Sequence, residues 1–185
     1  RRHRKEGRIT PEQLKARLSP GALGMMEEKI EIGRWYPIQI FCELLDLDWE
    51  IGGHRDPNYM RVSGEQAAER LFNSGIYQQL SYAERVGRVR ARDDLIRQSK
   101  LITTITGTLY NFLTFEVRLE PDRRDELQIY YGNAASFSEA LRYTTEGFMN
   151  QINKRQKSAA RWCSRRERPD LVIFTLPLPK RLLES

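Results

Sequence analysis

The last third of the chain constrains the fold most, because it carries two strand-like segments, a helix signal and two more strand-like segments. Residues 114–119 alternate polar and apolar side chains, and residues 126–131 do the same after a polar turn. Alternation with a period of two is typical of a strand with one buried face, so the pair predicts a β-hairpin. Residues 159–164 and 171–178 predict a third and a fourth strand, ended by prolines that cannot donate to a ladder.

A helix is predicted between the two pairs of strands. Ser136 and Glu139 have the spacing of a capping box, and apolar side chains three and four residues apart follow as far as Ile152. Together with the helices before residue 112, this order predicts an α+β fold. N-terminal helices pack on a four-stranded antiparallel sheet built as a hairpin, a helix and two strands.

Several helices are predicted before the sheet. Cap and proline signals start helices at 10–18 and 19–32, and an apolar stripe marks a helix from Tyr36 that ends before Gly52. Residues 63–75 are rich in helix formers and small side chains, which permit close helix contact. Residues 84–100 predict a half-exposed helix, and 101–113 a helix that passes into an extended segment.

The length of 185 residues suits one domain. The first eight residues carry four of the six net positive charges, so we predict a basic tail or linker at 1–9 and a single α+β domain at 10–185. The chain begins with arginine and shows no secretory leader there, which indicates a piece of a longer protein. No apolar run is long enough for a membrane span, and we expect a cytoplasmic location.

Residues with catalytic or metal-binding chemistry are few. The chain has two histidines, His3 and His54, without a second ligand at usable spacing, and we expect both at the surface. Cys42 and Cys163 lie far apart outside any CxxC motif, which favours free thiols in a reducing compartment. No nucleophile elbow, dinucleotide loop or P-loop is present. We therefore expect no enzyme, no metal site and no cofactor.

Aromatic side chains gather in two places. One group surrounds the third helix and the other precedes the hairpin, and such groups usually belong to a core. If the two groups face each other across helix and sheet, they line an apolar pocket of the kind that binds small molecules. The predicted ligand-binding residues are then Trp35, Tyr36, Phe41, Cys42, Tyr110 and Phe112.

A basic cluster near the C-terminus offers a second kind of site. Strand alternation places Arg161, Cys163 and Arg165 on one face and Trp162 on the other. An exposed surface of this composition binds phosphates and stacks bases; the alternative is a buried Trp162 whose neighbouring arginines face water or acidic side chains. The candidate nucleic-acid-binding residues are Arg161, Arg165, Arg166 and Arg168.

The order of elements resembles a known group of sensor domains. The small residues from Gly64 to Ala68 and the runs 146–148, 161–163 and 171–174 are similar to those of the 4-vinyl reductase-type domains. Their relatives are the haem nitric-oxide-binding domains, vesicle-tethering transport-particle subunits and a myxobacterial paralogous domain of unknown function. The resemblance implies a cytoplasmic, often dimeric module that holds a small apolar ligand or a protein partner and signals to an attached domain.

Two departures from the group bear on cofactors. Haem-binding members need an axial histidine in a helix and a Tyr-x-Ser-x-Arg motif, and this chain has neither. Metal-binding members use several cysteines near the last strands, where only Cys163 stands. The resemblance therefore implies neither haem nor zinc for this chain.

The leading hypothesis is a non-enzymatic sensory or regulatory module that binds an apolar small molecule or a protein partner. The alternative is a nucleic-acid-binding or assembly module that uses the basic cluster and the N-terminal basic tail. We also expect a homodimer, because of the small-residue helix 63–75 and the resemblance.

Overall fold

A computed structural model describes residues 2–29, 31, 34–74, 96, 99–100, 103–104, 106–107, 110–119, 125–155 and 158–178. The helices are α1 (Arg2–Lys5), α2 (Pro11–Arg17), α3 (Pro20–Glu27), α4 (Ile38–Gly53), α5 (Pro57–Ser74) and α6 (Glu139–Arg155). The strands are β1 (Thr114–Arg118), β2 (Glu126–Gly132), β3 (Cys163–Arg168) and β4 (Leu171–Pro177). None of the helices described is both long and apolar enough to cross a membrane.

The four strands form one antiparallel sheet in the order β1-β2-β4-β3. β1 and β2 make the predicted hairpin, α6 follows, and β3 and β4 make a second hairpin that places β4 beside β2. The predicted α+β fold, with helices packed on a sheet built as hairpin, helix and two strands, is confirmed.

Two predicted boundaries in this half of the chain were wrong. α6 begins at Glu139, because Ser138 rather than Ser136 precedes it and accepts a hydrogen bond from the Leu141 amide at 3.3 Å. β3 begins at Cys163, four residues after the predicted start. β3 starts later because the Asn150 side chain occupies the backbone of Trp162. It accepts a hydrogen bond from the Trp162 amide (2.7 Å) and donates one to the Trp162 carbonyl (3.1 Å), so these groups do not pair with a neighbouring strand.

Among the N-terminal helices, the start of α2 follows its sequence signal, whereas two predicted helix ends were wrong. Thr10 and Gln13 form the expected capping box. α3 ends at Glu27, short of the predicted residue 32, while α4 continues through Gly52 and Gly53. Residues 103–104 and 106–107 are helical as predicted, whereas most of the predicted helix 84–100 lies outside the described residues.

α5 starts six residues earlier than predicted, at Pro57. The segment 54–58 contains a turn proline, and for that reason we assigned it to a loop. In the structure Asp56 accepts a hydrogen bond from the Asn58 amide at 2.9 Å, and Pro57 occupies the first turn of the helix, where a missing amide hydrogen costs nothing.

The main core lies between the sheet, α6 and one face of α4. Aromatic rings fill its centre: Tyr131 of β2 packs edge-on against Phe115 and tilted against Phe174, with ring centroids 4.7 Å apart in each pair. α4 enters this core through Cys42, with Ile38 and Leu45 packed beside it. The N-terminal helices thus meet the sheet mainly through α4.

The contact between α5 and α6 is close enough to require glycine on both helices. A Cβ at Gly64 would overlap the backbone carbonyl of Thr144, and a Cβ at Gly147 would overlap that of Arg61. The small residues predicted to permit close helix contact therefore do so within the chain. This face of α5 is covered by α6, so the expected homodimer, which remains a prediction, rests on the resemblance alone.

A buried polar cluster holds the same two helices to β3. Glu146 is 4% exposed and accepts hydrogen bonds from Arg61 Nε (2.5 Å), the Ser164 amide (2.8 Å) and Ser164 Oγ (2.5 Å). The buried Arg142 donates to the carbonyl and the hydroxyl of Ser164 at 2.7 and 2.8 Å. A buried carboxylate is tolerated when its oxygens are bonded in this way, and the cluster ties α5, α6 and the sheet edge together.

The basic segment 1–9 is partly packed on the helices. Residues 2–5 form α1, His3 is 8% exposed, and Ile9 is buried with Leu14, Leu18 and Ala22. The predicted boundary between a tail or linker and a single domain remains a prediction. The expectation of a surface position is wrong for His3, while His54 is exposed at the left-handed end of α4.

The glycine contact predicts a large difference between two glycine substitutions. Gly64→Ala should lower the free energy of unfolding by about 1–3 kcal/mol or more, as overpacking a close contact does. Gly24→Ala is the matched control, because no atom other than those of its chain neighbours and of the α3 backbone lies within 4 Å of its Cβ position. Alanine there should be neutral or stabilising by up to about 1 kcal/mol. Urea denaturation measures both, and equal stabilities would contradict the close packing.

Candidate functional site

A cavity lies between the three short N-terminal helices and α4, on the side of α4 that faces away from the sheet. Its volume is ≈ 210 Å³. Most of its wall is aliphatic, and the polar side chains lie together at one part. The lining residues are His3, Arg4, Ile9, Leu14, Met26, Leu44, Leu47, Asp48 and Ile51.

α4 has apolar side chains on two faces. Ile38, Cys42 and Leu45 face the main core, at the four- and three-residue spacing of one helical stripe. A second stripe, Ile40, Leu44, Leu47 and Ile51, packs with Leu14 and Ala22 in a separate cluster beside the cavity. One helix therefore connects the cavity wall with the sheet.

The polar part of the cavity is a histidine–carboxylate pair. His3 Nε2 lies 2.7 Å from Asp48 Oδ1, and the Tyr59 hydroxyl approaches the same oxygen at 3.4 Å. His3 Nδ1 is buried and has no hydrogen-bond partner among the described residues. A buried ring nitrogen in this state is uncommon, because most buried polar atoms are paired.

Two glycines make room for this pair. A Cβ at Gly52 would lie 2.8 Å from His3 Cε1, and one at Gly53 would lie 2.6 Å from the Tyr59 ring. The end of α4 is thus shaped to receive the histidine ring and the tyrosine. Arg4, the cation in the wall, is exposed and paired with Glu27 Oε1 at 3.0 Å.

Three of the six residues predicted to bind a ligand lie at or near the surface. Trp35 is 57% exposed and Phe41 is 40% exposed. Tyr36 is half-buried, and its hydroxyl accepts a hydrogen bond from the Glu31 amide at 3.0 Å. These side chains do not line the cavity.

The other three belong to the main core. The Cys42 thiol donates to the Ser136 carbonyl at 3.3 Å, and burial raises the pKa of that thiol. Tyr110 packs edge-on against Phe112 and Phe137 at centroid distances of 6.1 and 6.0 Å. Cys42, Tyr110 and Phe112 thus pack in one core and the first three residues do not join them. A ligand role for any of the six remains a prediction.

The arginines of the predicted nucleic-acid surface are mostly paired. Arg166 Nε lies 2.7 Å from Glu139 Oε1, Arg165 Nε lies 2.8 Å from Glu167, and Arg168 Nε lies 3.6 Å from Asp170. Arg161 is exposed. Trp162 is 2% exposed, so its ring is not accessible for base stacking. The alternative interpretation, a buried Trp162 with arginines facing water and acidic side chains, matches the structure.

Sequence reasoning missed the cavity. The second stripe of α4, with its spacing of four, three and four residues from Ile40 to Ile51, was the available signal. It was overlooked because the first stripe contains the aromatic and cysteine side chains. No local pattern marks His3, whose burial depends on residues about fifty positions away.

Comparison with known proteins supports the architecture. No protein-family model and no curated protein sequence matches the chain. Among solved structures, a mutant H-NOX protein from K. algicida in the Fe(II) unliganded state is 14% identical with a TM-score of 0.52, covering 94% of this chain and 95% of that one.

Two further structures are similar. An H-NOX protein from S. oneidensis in the Fe(II)NO ligation state is 10% identical, with a TM-score of 0.53 and 90% and 86% coverage. The IWP-051-bound H-NOX from Shewanella woodyi in the Fe(II)CO ligation state is 15% identical, with a TM-score of 0.52 and 92% and 90% coverage. At these identities the likeness concerns the fold. The resemblance to haem nitric-oxide-binding domains is confirmed at that level, and the 4-vinyl reductase and myxobacterial resemblances remain predictions.

Haem, which this fold family implies, does not fit the described residues of this chain. Of its two histidines, His3 has Nε2 bonded to Asp48, and His54 is exposed. The cavity of ≈ 210 Å³ is below the roughly 300–1,000 Å³ of pockets for drug-sized ligands, and a porphyrin is larger than most of those. In the described part of the chain no three His, Cys, Asp or Glu side chains are placed to hold a metal ion.

The pairing of the basic strand predicts an acid-dependent loss of stability. Burial raises the pKa of the Glu139 carboxyl, but hydrogen bonds from Arg142 and Arg166 outweigh it and hold that pKa below its usual value. The stabilisation is present above the unfolded-state pKa of about 4.3 and is lost as pH falls through the folded-state value. Glu139→Gln should therefore lose less unfolding free energy than the wild type between about pH 6 and pH 3.

Glu167→Gln is the control for this measurement. Glu167 pairs with Arg165 at the exposed surface of β3, where solvent screens the interaction. Its substitution should leave the acid dependence close to that of the wild type. Identical acid profiles for all three proteins, from urea denaturation at each pH, would contradict the role assigned to Glu139.

Proposed function

We propose that the chain is a non-enzymatic sensory or regulatory module that binds a small apolar molecule in the cavity between α4 and the N-terminal helices. The observation that carries the proposal is the aliphatic cavity of ≈ 210 Å³ with one buried polar pair in its wall. An apolar concavity with a few convergent polar groups is the usual build of a small-molecule site. The H-NOX-like fold supports a sensory role.

α4 supplies a physical route from ligand to response. Its second stripe faces the cavity, while Cys42 and its neighbours on the first stripe pack against the sheet. A ligand that prefers one position of the helix shifts the population of that position and carries the change into the main core. The free energy by which the ligand shifts the balance between the two helix positions is set by the difference between its binding free energies for them.

A protein partner or an attached domain would receive that response. The exposed rings of Trp35 and Phe41, which lie just before α4 and within its first turn, support a contact there. Exposed aromatic side chains are enriched at the centres of protein interfaces. The cytoplasmic location and the homodimer form part of the same proposal and rest on the resemblance.

The cavity proposal predicts a selective loss of ligand when the cavity is filled. Native mass spectrometry and solvent extraction of the purified wild type should reveal a bound small molecule, and saturating toluene should raise the melting temperature. Leu47→Trp should remove both effects, because the indole occupies the cavity next to Asp48. Val62→Trp, at an exposed position of α5, should retain both.

The proposal fails if the wild type binds no molecule from the cell and toluene leaves its melting temperature unchanged. It also fails if the Val62→Trp and Leu47→Trp proteins lose ligand equally, since the effect would then not depend on the cavity.

A further inference from the structure

The sheet has two edges, and side chains of α6 close the edge at β3. Backbone groups that point away from a neighbouring strand belong to alternate residues along an edge. At this edge Asn150 holds the amide and the carbonyl of Trp162. Glu146 accepts from the Ser164 amide, and Arg142 donates to the Ser164 carbonyl. A further strand arriving here would find these groups already bonded.

The edge at β1 is built differently. β1 pairs with β2 on one side, and within the described part of the chain no strand lies on its other side. Alternate residues of an edge strand direct their amides and carbonyls outward, where another strand can pair with them. β1 contains no proline, and its register with β2 is regular. Two of the devices that usually blunt a sheet edge are therefore absent from β1.

The apolar face of β1 extends the main core as far as this edge. Phe115, Val117 and Leu119 are half-buried and pack against the core cluster. On the side away from β2, no described strand covers them. A second strand paired with β1 would bury more of these side chains, and burial of apolar surface stabilises an association.

The opposite face of β1 carries charges of both signs. Thr114, Glu116 and Arg118 are exposed, and an Arg118 guanidinium nitrogen lies 2.6 Å from Glu116 Oε2. The two charges are two residues apart on one face of the strand. A copy of the same strand that runs in the opposite direction therefore presents the opposite charge at each of these positions.

One antiparallel register of two β1 strands matches both faces. With Val117 opposite Val117 of the second copy, each Glu116 stands opposite an Arg118 and each Phe115 opposite a Leu119. Opposite charges and apolar side chains in directly facing positions stabilise a strand pair. A register centred on Glu116 or on Arg118 would place two like charges opposite each other, which is destabilising.

From these observations we infer that β1 is the interface of a homodimer. Two copies of this chain pair β1 with β1, antiparallel and centred on Val117, and join their four-stranded sheets into one continuous sheet. The inference rests on the proposed function and assigns a surface to its homodimer. A second copy fits this edge because the charges and the apolar side chains of β1 complement those of β1 itself. The cavity lies on the side of α4 that faces away from the sheet, so dimerisation leaves it open.

Charge reversal tests the register. Sedimentation velocity on the full chain should show a concentration-dependent dimer. Glu116→Arg and Arg118→Glu should each weaken this dimer by about tenfold or more, because two attractive cross-strand pairs become repulsive. An equimolar mixture of the two variants should recover the dimer, since the positive strand of one faces the negative strand of the other. Repulsion within each strand persists in the mixture, so recovery reports on the interface and not on folding.

Glu167→Arg is the matched control. Glu167 forms the same kind of exposed pair with Arg165, two residues away along β3, with Arg165 Nε 2.8 Å from Glu167 Oε2. This pair lies on the edge that α6 closes. Its reversal should leave the dimer as strong as in the wild type.

Cysteine cross-linking locates the centre of the interface. The background is Cys163→Ser, which removes the exposed thiol. Val117→Cys should then form an intermolecular disulfide on mild oxidation, because directly opposite Cα atoms of an antiparallel pair are about 4.5–5.5 Å apart. Phe115→Cys should form none, since the two copies of that position are offset by four residues, or about 13 Å.

The outcomes separate the interface from the ligand site. A wild type that stays monomeric at its highest soluble concentration overturns the inference, as does a dimer that both charge reversals leave intact. A mixture of the two variants that stays monomeric overturns it as well. Toluene binding is measured on the same protein. A monomer that binds toluene overturns the interface and keeps the cavity site, whereas a β1-paired dimer that does not bind toluene overturns the cavity site and supports the interface.

Discussion

The contact between α5 and α6 is the constraint on which the rest of the structure depends. Gly64 and Gly147 let each helix backbone touch the other at the level of Thr144 and Arg61. At this short separation Arg61 reaches Glu146, and Glu146 in turn reaches Ser164 of β3. A wider spacing would leave the buried Glu146 carboxylate without Arg61, its cationic partner, and breaking a buried ion pair on one side costs about 3–5 kcal/mol. The packing of α5 on α6 and the attachment of both helices to β3 therefore depend on the same short distance between the helices.

α4 divides the remaining structure into two parts. Its two apolar stripes are turned toward different clusters, the aromatic core of the sheet and the aliphatic cluster of the short helices. The first cluster is filled by rings in edge-on contact, and the second borders the cavity. On the side of α4 that faces the sheet, aromatic rings fill the core. On the other side, the short helices α2 and α3, of seven and eight residues, leave the cavity unfilled.

The sequence predicted what depends on neighbouring residues and missed what depends on distant ones. Alternation and caps are local, so the hairpin, α2 and the succession of hairpin, helix and two strands along the chain were recognised. The start of β3 was missed because Asn150 of α6 holds the Trp162 backbone. His3 was assigned to a tail because its buried position is created by Asp48 and the glycines at the end of α4. The candidate site was missed for the second reason, since α1 and the second stripe of α4 form much of its wall.

The packing of α1 has a practical consequence for anyone who handles this protein. His3 and Arg4 belong to the cavity wall and lie within four residues of the first residue of the chain. A truncation that removes residues 1–4 would thus take away part of the cavity wall while leaving the sheet and its aromatic core intact. Such a shortened protein would still fold around the sheet, and its loss of ligand would report on the missing wall and not on the fold.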